Sequence, residues 1–117
     1  MRKLWITIIL SVMAMNVIAE SSPSCEGKVE NINVHSSNGI YLKGDWNTDK
    51  QRICALDGSV NGISQEVCKF WASALQTALY TGKSVAVTYY NIAAADCASL
   101  PANNSAPSPS GIYFQSN

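Results

Sequence analysis

The feature that most constrains this chain is the run from Ser64 to Gly82, the one clearly amphipathic helix outside the N-terminal segment. Val67, Phe70, Trp71, Ala74, Leu75, Ala78 and Leu79 recur at spacings of three and four, a period that a strand cannot produce. They draw one broad apolar stripe, expected to cover a core. Gln65, Lys69, Ser73, Gln76, Thr77 and Tyr80 fall on the remaining surface, for water or a partner. Both ends are legible. Ser64 is an N-cap, Glu66 places a negative charge in the first turn, and Gly82 suits the left-handed position past the last turn, with Lys83 beside it.

The segment before the first strand sets the compartment. Arg2 and Lys3 precede an apolar run from Leu4 to Met15, and Val17-Ile18-Ala19 offers small residues for a peptidase, so residues 1–19 read as a secretory signal peptide. The run is shorter than the roughly 20 residues that span a bilayer, so no stable membrane insertion is expected after cleavage. Residues 20–117 are then one small exported domain, secreted or periplasmic. Eight basic and eight acidic residues balance in the whole chain, and loss of Arg2 and Lys3 leaves the exported part slightly acidic. With its few Lys and Arg residues scattered, it lacks the basic stripe of a nucleic-acid partner.

Cys25, Cys54, Cys68 and Cys97 all lie in the exported part, and an even number in a small exported domain reads as two disulfides. Three pairings are open. Cys54 with Cys68 closes a short turn-rich loop, worth about 3 kcal/mol in the chain-entropy model, and Cys25 with Cys97 closes a long one worth about 4 to 5. That arrangement is favoured. Zinc is not, because no Cys-x-x-Cys pair occurs and His35 stands far from any cysteine.

Around the helix the chain reads as short strands. Residues 27–35 alternate, with Ile32 and Val34 on one face and Val29 on the other; Asn38-Gly39 then signals a type I′ hairpin turn into a strand over 40–44. A third strand over 51–56 leads through Asp57-Gly58 and Asn61-Gly62 to the helix. The strand over 84–90 follows, rich in β-branched residues. Residues 91–110, carrying Pro101, Pro107 and Pro109, form an irregular loop held by Cys97, and 111–115 close the chain as a fifth strand. The class is therefore β with one helix (α+β). The order β-β-β-α-β-β is that of a small five-stranded OB-fold-like barrel, with an open α+β sheet as the alternative.

Fragments that imitate catalytic or ligand motifs each fail at a named position. Thr81-Gly82-Lys83-Ser84 ends like a phosphate loop but follows a helix and lacks the first glycine, so it is a helix cap. Asp45 to Asp49 alternates like a calcium loop, but Lys50 stands where its glycine belongs and Leu56 where its glutamate belongs. No metal, cofactor or catalytic group is assigned, and the chain is not read as an enzyme. Asn103-Asn104-Ser105 is formally a glycosylation acceptor. Tyr41 and Trp46 sit in or beside a polar turn, and are the candidate ligand-binding residues; the alternative is that they fold back onto their own domain.

Taken together, Cys25-x-Gly27-Lys28-Val29, Cys54 and Cys68 around a turn before the helix, Thr81-Gly82-Lys83-Ser84-Val85 after it, and Cys97 resemble a group of small exported bacterial proteins. That group is similar in layout to the OB-fold B subunits of AB5-type toxins. The resemblance implies a homo-oligomer, a ring-shaped pentamer with helices lining a pore, and loops that bind glycans. The function expected is a non-catalytic exported binding module for a glycan or surface protein. The alternative is a monomeric accessory protein of the cell envelope acting through protein contacts.

Overall fold

A computed structural model describes residues 24–90 and 97–115. The signal peptide expected over residues 1–19, and part of the irregular loop, lie outside the described residues. Five strands, β1 (Ser24–Val34), β2 (Gly39–Gly44), β3 (Gln51–Ala55), β4 (Ser84–Tyr89) and β5 (Pro109–Phe114), form one antiparallel sheet in the order β3-β2-β1-β4-β5, with helix α1 (Gln65–Thr81) packed against it. The element order is the expected one. The sheet is open, with β3 and β5 at its two edges; closure into a barrel is not seen among the described strands.

β1 is the spine. Its first half pairs with β4, from Ser24 opposite Thr88 to Lys28 opposite Ser84, and its second half pairs with β2, from Val29 opposite Gly44 to Val34 opposite Ile40. A bulge at Glu30 separates the halves. This corrects the simple alternation read from the sequence. The inserted residue resets the pleat, so that Val29 and Ile32, expected on opposite faces, both reach the core. Glu30 stays outside and accepts a charge-assisted hydrogen bond from Lys43 Nζ at 2.5 Å.

The hairpin between β1 and β2 also differs in detail. Only Asn38 has positive φ (70°), Gly39 is already the first residue of β2, and Asn38 N donates to the carbonyl of His35. This is a three-residue loop built on a turn followed by one left-handed residue, in place of the two-residue I′ turn. The helix ends are as expected: Ser64 Oγ accepts from Val67 N at 3.2 Å, and Gly82 is left-handed at φ 67°. Cys25 is joined to Cys97 and Cys54 to Cys68, the favoured pairing of the three.

The connection between β4 and β5 is held at more points than Cys97. Leu100 is buried, and Asn103 makes a parallel bridge to Gln51, accepting from Arg52 N and donating to the carbonyl of Lys50. Beneath that bridge Tyr89 Oη donates to Gln51 Oε1 at 2.6 Å, and Gln51 Nε2 donates to the carbonyl of Pro101 at 3.1 Å. The outer backbone of β3 is thereby satisfied at Lys50 and Arg52. Burial pushes the Tyr89 phenol well above the ordinary tyrosine range.

That shift has a definite sign. Below about pH 10 the phenol is neutral whether the chain is folded or not; above it the unfolded chain releases the proton while the folded one retains it. Stability therefore falls as pH rises from the unfolded value towards the folded one, by up to about 1.4 kcal/mol per pH unit from this group. Tyr89→Phe should cost about 1–3 kcal/mol at neutral pH by leaving Gln51 Oε1 unpaired, and should flatten the alkaline limb. Urea midpoints measured through that limb check this, and parallel profiles for the two proteins would contradict it.

Candidate functional site

The helix carries more apolar surface than the sheet can take. Positions 68, 71, 75 and 78 form the seam that is buried, with Trp71 only 8% exposed. A second seam at Val67, Phe70, Ala74, Thr77 and Thr81, one residue away, repeats the same three-and-four spacing and turns towards β5. The broad stripe expected to cover the core is thus divided. Val67 is 42% exposed and Phe70 67%.

Across from this second seam stands Phe114. In β5, Ile112 and Phe114 lie opposite Val87 and Val85, both fully buried, so the two side chains continue the core face of the sheet beyond β4. Ile112 packs against the core. Phe114 faces the second seam of α1 and remains 41% exposed. Between Phe70 and Phe114 runs a groove of about 330 Å³, lined also by Ala74, Thr77, Ala78 and Thr81 and by the polar residues Lys83, Ser84 and Gln115. Thr77 Oγ1 donates to the carbonyl of Ser73 and Thr81 Oγ1 to that of Thr77. Both hydroxyls are thus occupied by the helix backbone, so the helix side of the groove is mainly apolar.

The edge beside the groove is open. Gln115 N donates to the carbonyl of Ser84, and antiparallel alternation from that bond directs the backbone of Gly111 and Tyr113 to β4 and the backbone of Ile112 and Phe114 outward. No charged residue occurs in Pro109–Phe114, and no described strand pairs with its outer side. Edge strands are ordinarily guarded by charge, coverage or brevity. β3 is covered at Lys50 and Arg52; among the described residues no strand covers β5.

The two aromatic candidates from the sequence lie elsewhere. Tyr41 is 9% exposed; its hydroxyl donates to Asn104 Oδ1 at 2.7 Å, His35 meets its ring edge-on at 6.1 Å, and Lys50 Nζ lies 5.5 Å from the ring centre. It ties β2 to the β4–β5 connection. Trp46 folds back over β1 and β2: a Cβ added to Gly44 would fall within its ring, and one on Gly27 would meet the ring and Asp45. Two glycines are there because the indole takes the space of their side chains. Its Nε1 is buried without a hydrogen-bond partner among the described residues. Tyr41 is buried, and Trp46 is half-buried with its ring against the backbone of Gly27 and Gly44.

The remaining fragments serve local structure. Asp45 Oδ1 accepts from Lys28 N, and Asp49 from Lys50 N and Asn103 Nδ2. His35 Nδ1 meets the hydroxyl and amide of Ser37 within its own turn. Asp57 is held below the ordinary carboxylate range, first by the Ser59 hydroxyl and then by the Ser59 amide. Among the described residues no group of three or more His, Cys, Asp or Glu side chains is placed to hold a metal ion, and no helix is long and apolar enough to cross a membrane.

No protein-family model, curated protein or solved structure matches the chain. The site is therefore described by its own geometry: an apolar helix flank, an aromatic edge strand and the groove between them.

The placement of Trp46 is open to test by stability. Trp46→Ala should lose about 3 kcal/mol or more, because it empties the space over Gly27 and Gly44, whereas Trp46→Phe should lie within about 1–2 kcal/mol of the parent since it also removes the unpaired N–H. Chemical denaturation of the purified variants measures both. A loss below about 0.5 kcal/mol for Trp46→Ala, as for an exposed ring, would contradict the packing.

Proposed function

We propose that this protein is an exported, non-catalytic binding module that works through the flank of α1 and the edge of β5. The observation that carries this reading is the exposure of Phe70 beside Phe114 on either side of one apolar groove. Contiguous exposed aromatic surface is costly to leave in water and marks sites where a partner covers it. Two disulfides in so small a domain fit a non-reducing environment, which supports export.

The contact is with polypeptide. A glycan-binding form of the reading depends on Tyr41 and Trp46 as stacking faces, and both rings lie against the protein. The unpaired backbone of β5 suits protein contact through main-chain hydrogen bonds. The finer fold reading is an OB-like, partly open barrel. It is supported by the element order, in a form whose β3 and β5 edges stay unjoined. A likeness to toxin B subunits rests on that order and on the cysteine layout.

An apolar dye tests the accessible groove. 1-Anilinonaphthalene-8-sulfonate should bind the folded, dilute protein with enhanced fluorescence. Phe70→Ser should reduce that signal several-fold while leaving the near-ultraviolet circular dichroism of the core unchanged. Equal dye binding by the variant would show that the groove is not the exposed apolar surface.

A further inference from the structure

The open edge and the groove together identify their occupant. A strand laid beside β5 would continue the pleat of the sheet, and its alternate side chains on the helix face would enter the groove between Phe70 and Phe114. The occupant must therefore be an extended segment with an unpaired edge of its own and apolar residues at alternate positions. β5 is such a segment: its outward backbone belongs to Ile112 and Phe114, and the side chains of these residues are apolar.

Resting on the reading of this flank as a binding surface, we propose that its partner is a second copy of this chain. The two copies join β5 to β5 antiparallel about a two-fold axis to make one ten-stranded sheet. The register that uses both outward residues centres on Tyr113. Ile112 of each copy then pairs with Phe114 of the other on the helix face, and the two Tyr113 rings, each 61% exposed, meet on the opposite face. Each groove receives side chains from its neighbour. The pairing closes on itself because an isologous contact consumes the β5 edge of both copies, and at the other end of the described sheet Asn103 occupies the outer backbone of Lys50 and Arg52 on β3.

The area is sufficient for a reversible pair. Taking about 200 Å² for an aromatic side chain, the exposed parts of Phe70, Tyr113 and Phe114 amount to about 340 Å² per copy. Covered in both copies these rings supply about 680 Å², the larger part of the 1,000 Å² or so that specific association needs, to which the paired β5 backbones add. The pair is therefore weak and concentration-dependent.

Sedimentation velocity on the mature protein with its disulfides intact, from micromolar to millimolar concentration, reads this directly, with native hydrogen exchange at each end of the range. Monomer should give way to dimer as concentration rises, and the amides of Ile112 and Phe114 should gain protection in the dimer. Phe114→Lys should weaken the association at least about tenfold. Phe70→Ser serves as the second variant, in case the edge substitution disturbs folding. Tyr80→Lys, at a position 87% exposed and outside the groove, should leave the association unchanged.

A wild-type monomer throughout, a larger ring, open-ended aggregation, or a dimer indifferent to both Phe114→Lys and Phe70→Ser would overturn the pairing. So would a dimer whose Ile112 and Phe114 amides exchange as fast as those of the monomer. A monomer whose groove still takes up the apolar dye removes the second copy as partner and leaves the binding surface standing. A monomer that takes up none removes both.

Discussion

The rotation of α1 about its own axis is the setting on which the rest of the surface depends, and the Cys54–Cys68 disulfide fixes it at the first turn of the helix. Both cysteines are fully buried, so the bond lies inside the core and joins the helix to β3. With Cys68 turned towards the sheet, Trp71, Leu75 and Ala78 must follow it at helical spacing. The neighbouring seam of Val67, Phe70 and Ala74 is turned by the same geometry towards the far edge. A modest rotation would bury Phe70 and lift Leu75 or Cys68 out of the core; the covalent bond prevents it. The exposed flank is a consequence of how the helix is anchored.

The sheet has the same asymmetry. The second disulfide ties the β4–β5 connection to β1 at Cys25, Leu100 enters the core, and on the β3 side Asn103 satisfies the outer backbone of Lys50 and Arg52. Tyr89 and Gln51 reinforce that edge from within by a buried hydrogen bond. On the β5 side no such covering is described, and the exposed seam of α1 overhangs the open edge. Covered edge, open edge and helix rotation converge on one groove. A small disulfide-bonded domain can leave such a surface uncovered because its stability rests partly on cross-links.

Much of this was legible in the chain. The helix, both of its caps, the five strands in order and the favoured disulfide pairing follow from spacing, capping residues and loop length. The bulge at Glu30 was not, because an inserted residue leaves no mark in a strand that already contains Asn31 and Asn33 between its apolar positions. Trp46 was read as a possible platform because the glycines that admit its ring, Gly27 and Gly44, are distant in sequence and meet only across β1 and β2. The groove was missed for a different reason. Seven apolar positions at spacings of three and four read as one face, but on a helix of this length they resolve into two adjacent seams, of which a single sheet can cover only one. The width of that stripe was the signal, and Phe114 two residues beyond Ile112 was its counterpart on β5.

Helix rotation is measured most directly by hydroxyl-radical footprinting with mass-spectrometric readout in dilute, oxidised protein. Normalised for intrinsic reactivity, Phe70 should be labelled rapidly, approaching exposed Tyr80, while Trp71 and Leu75, its neighbours on the same helix, are protected. Protection of Phe70 in the monomer, with Trp71 or Leu75 labelled instead, would contradict the division of the helix into a buried seam and an open one.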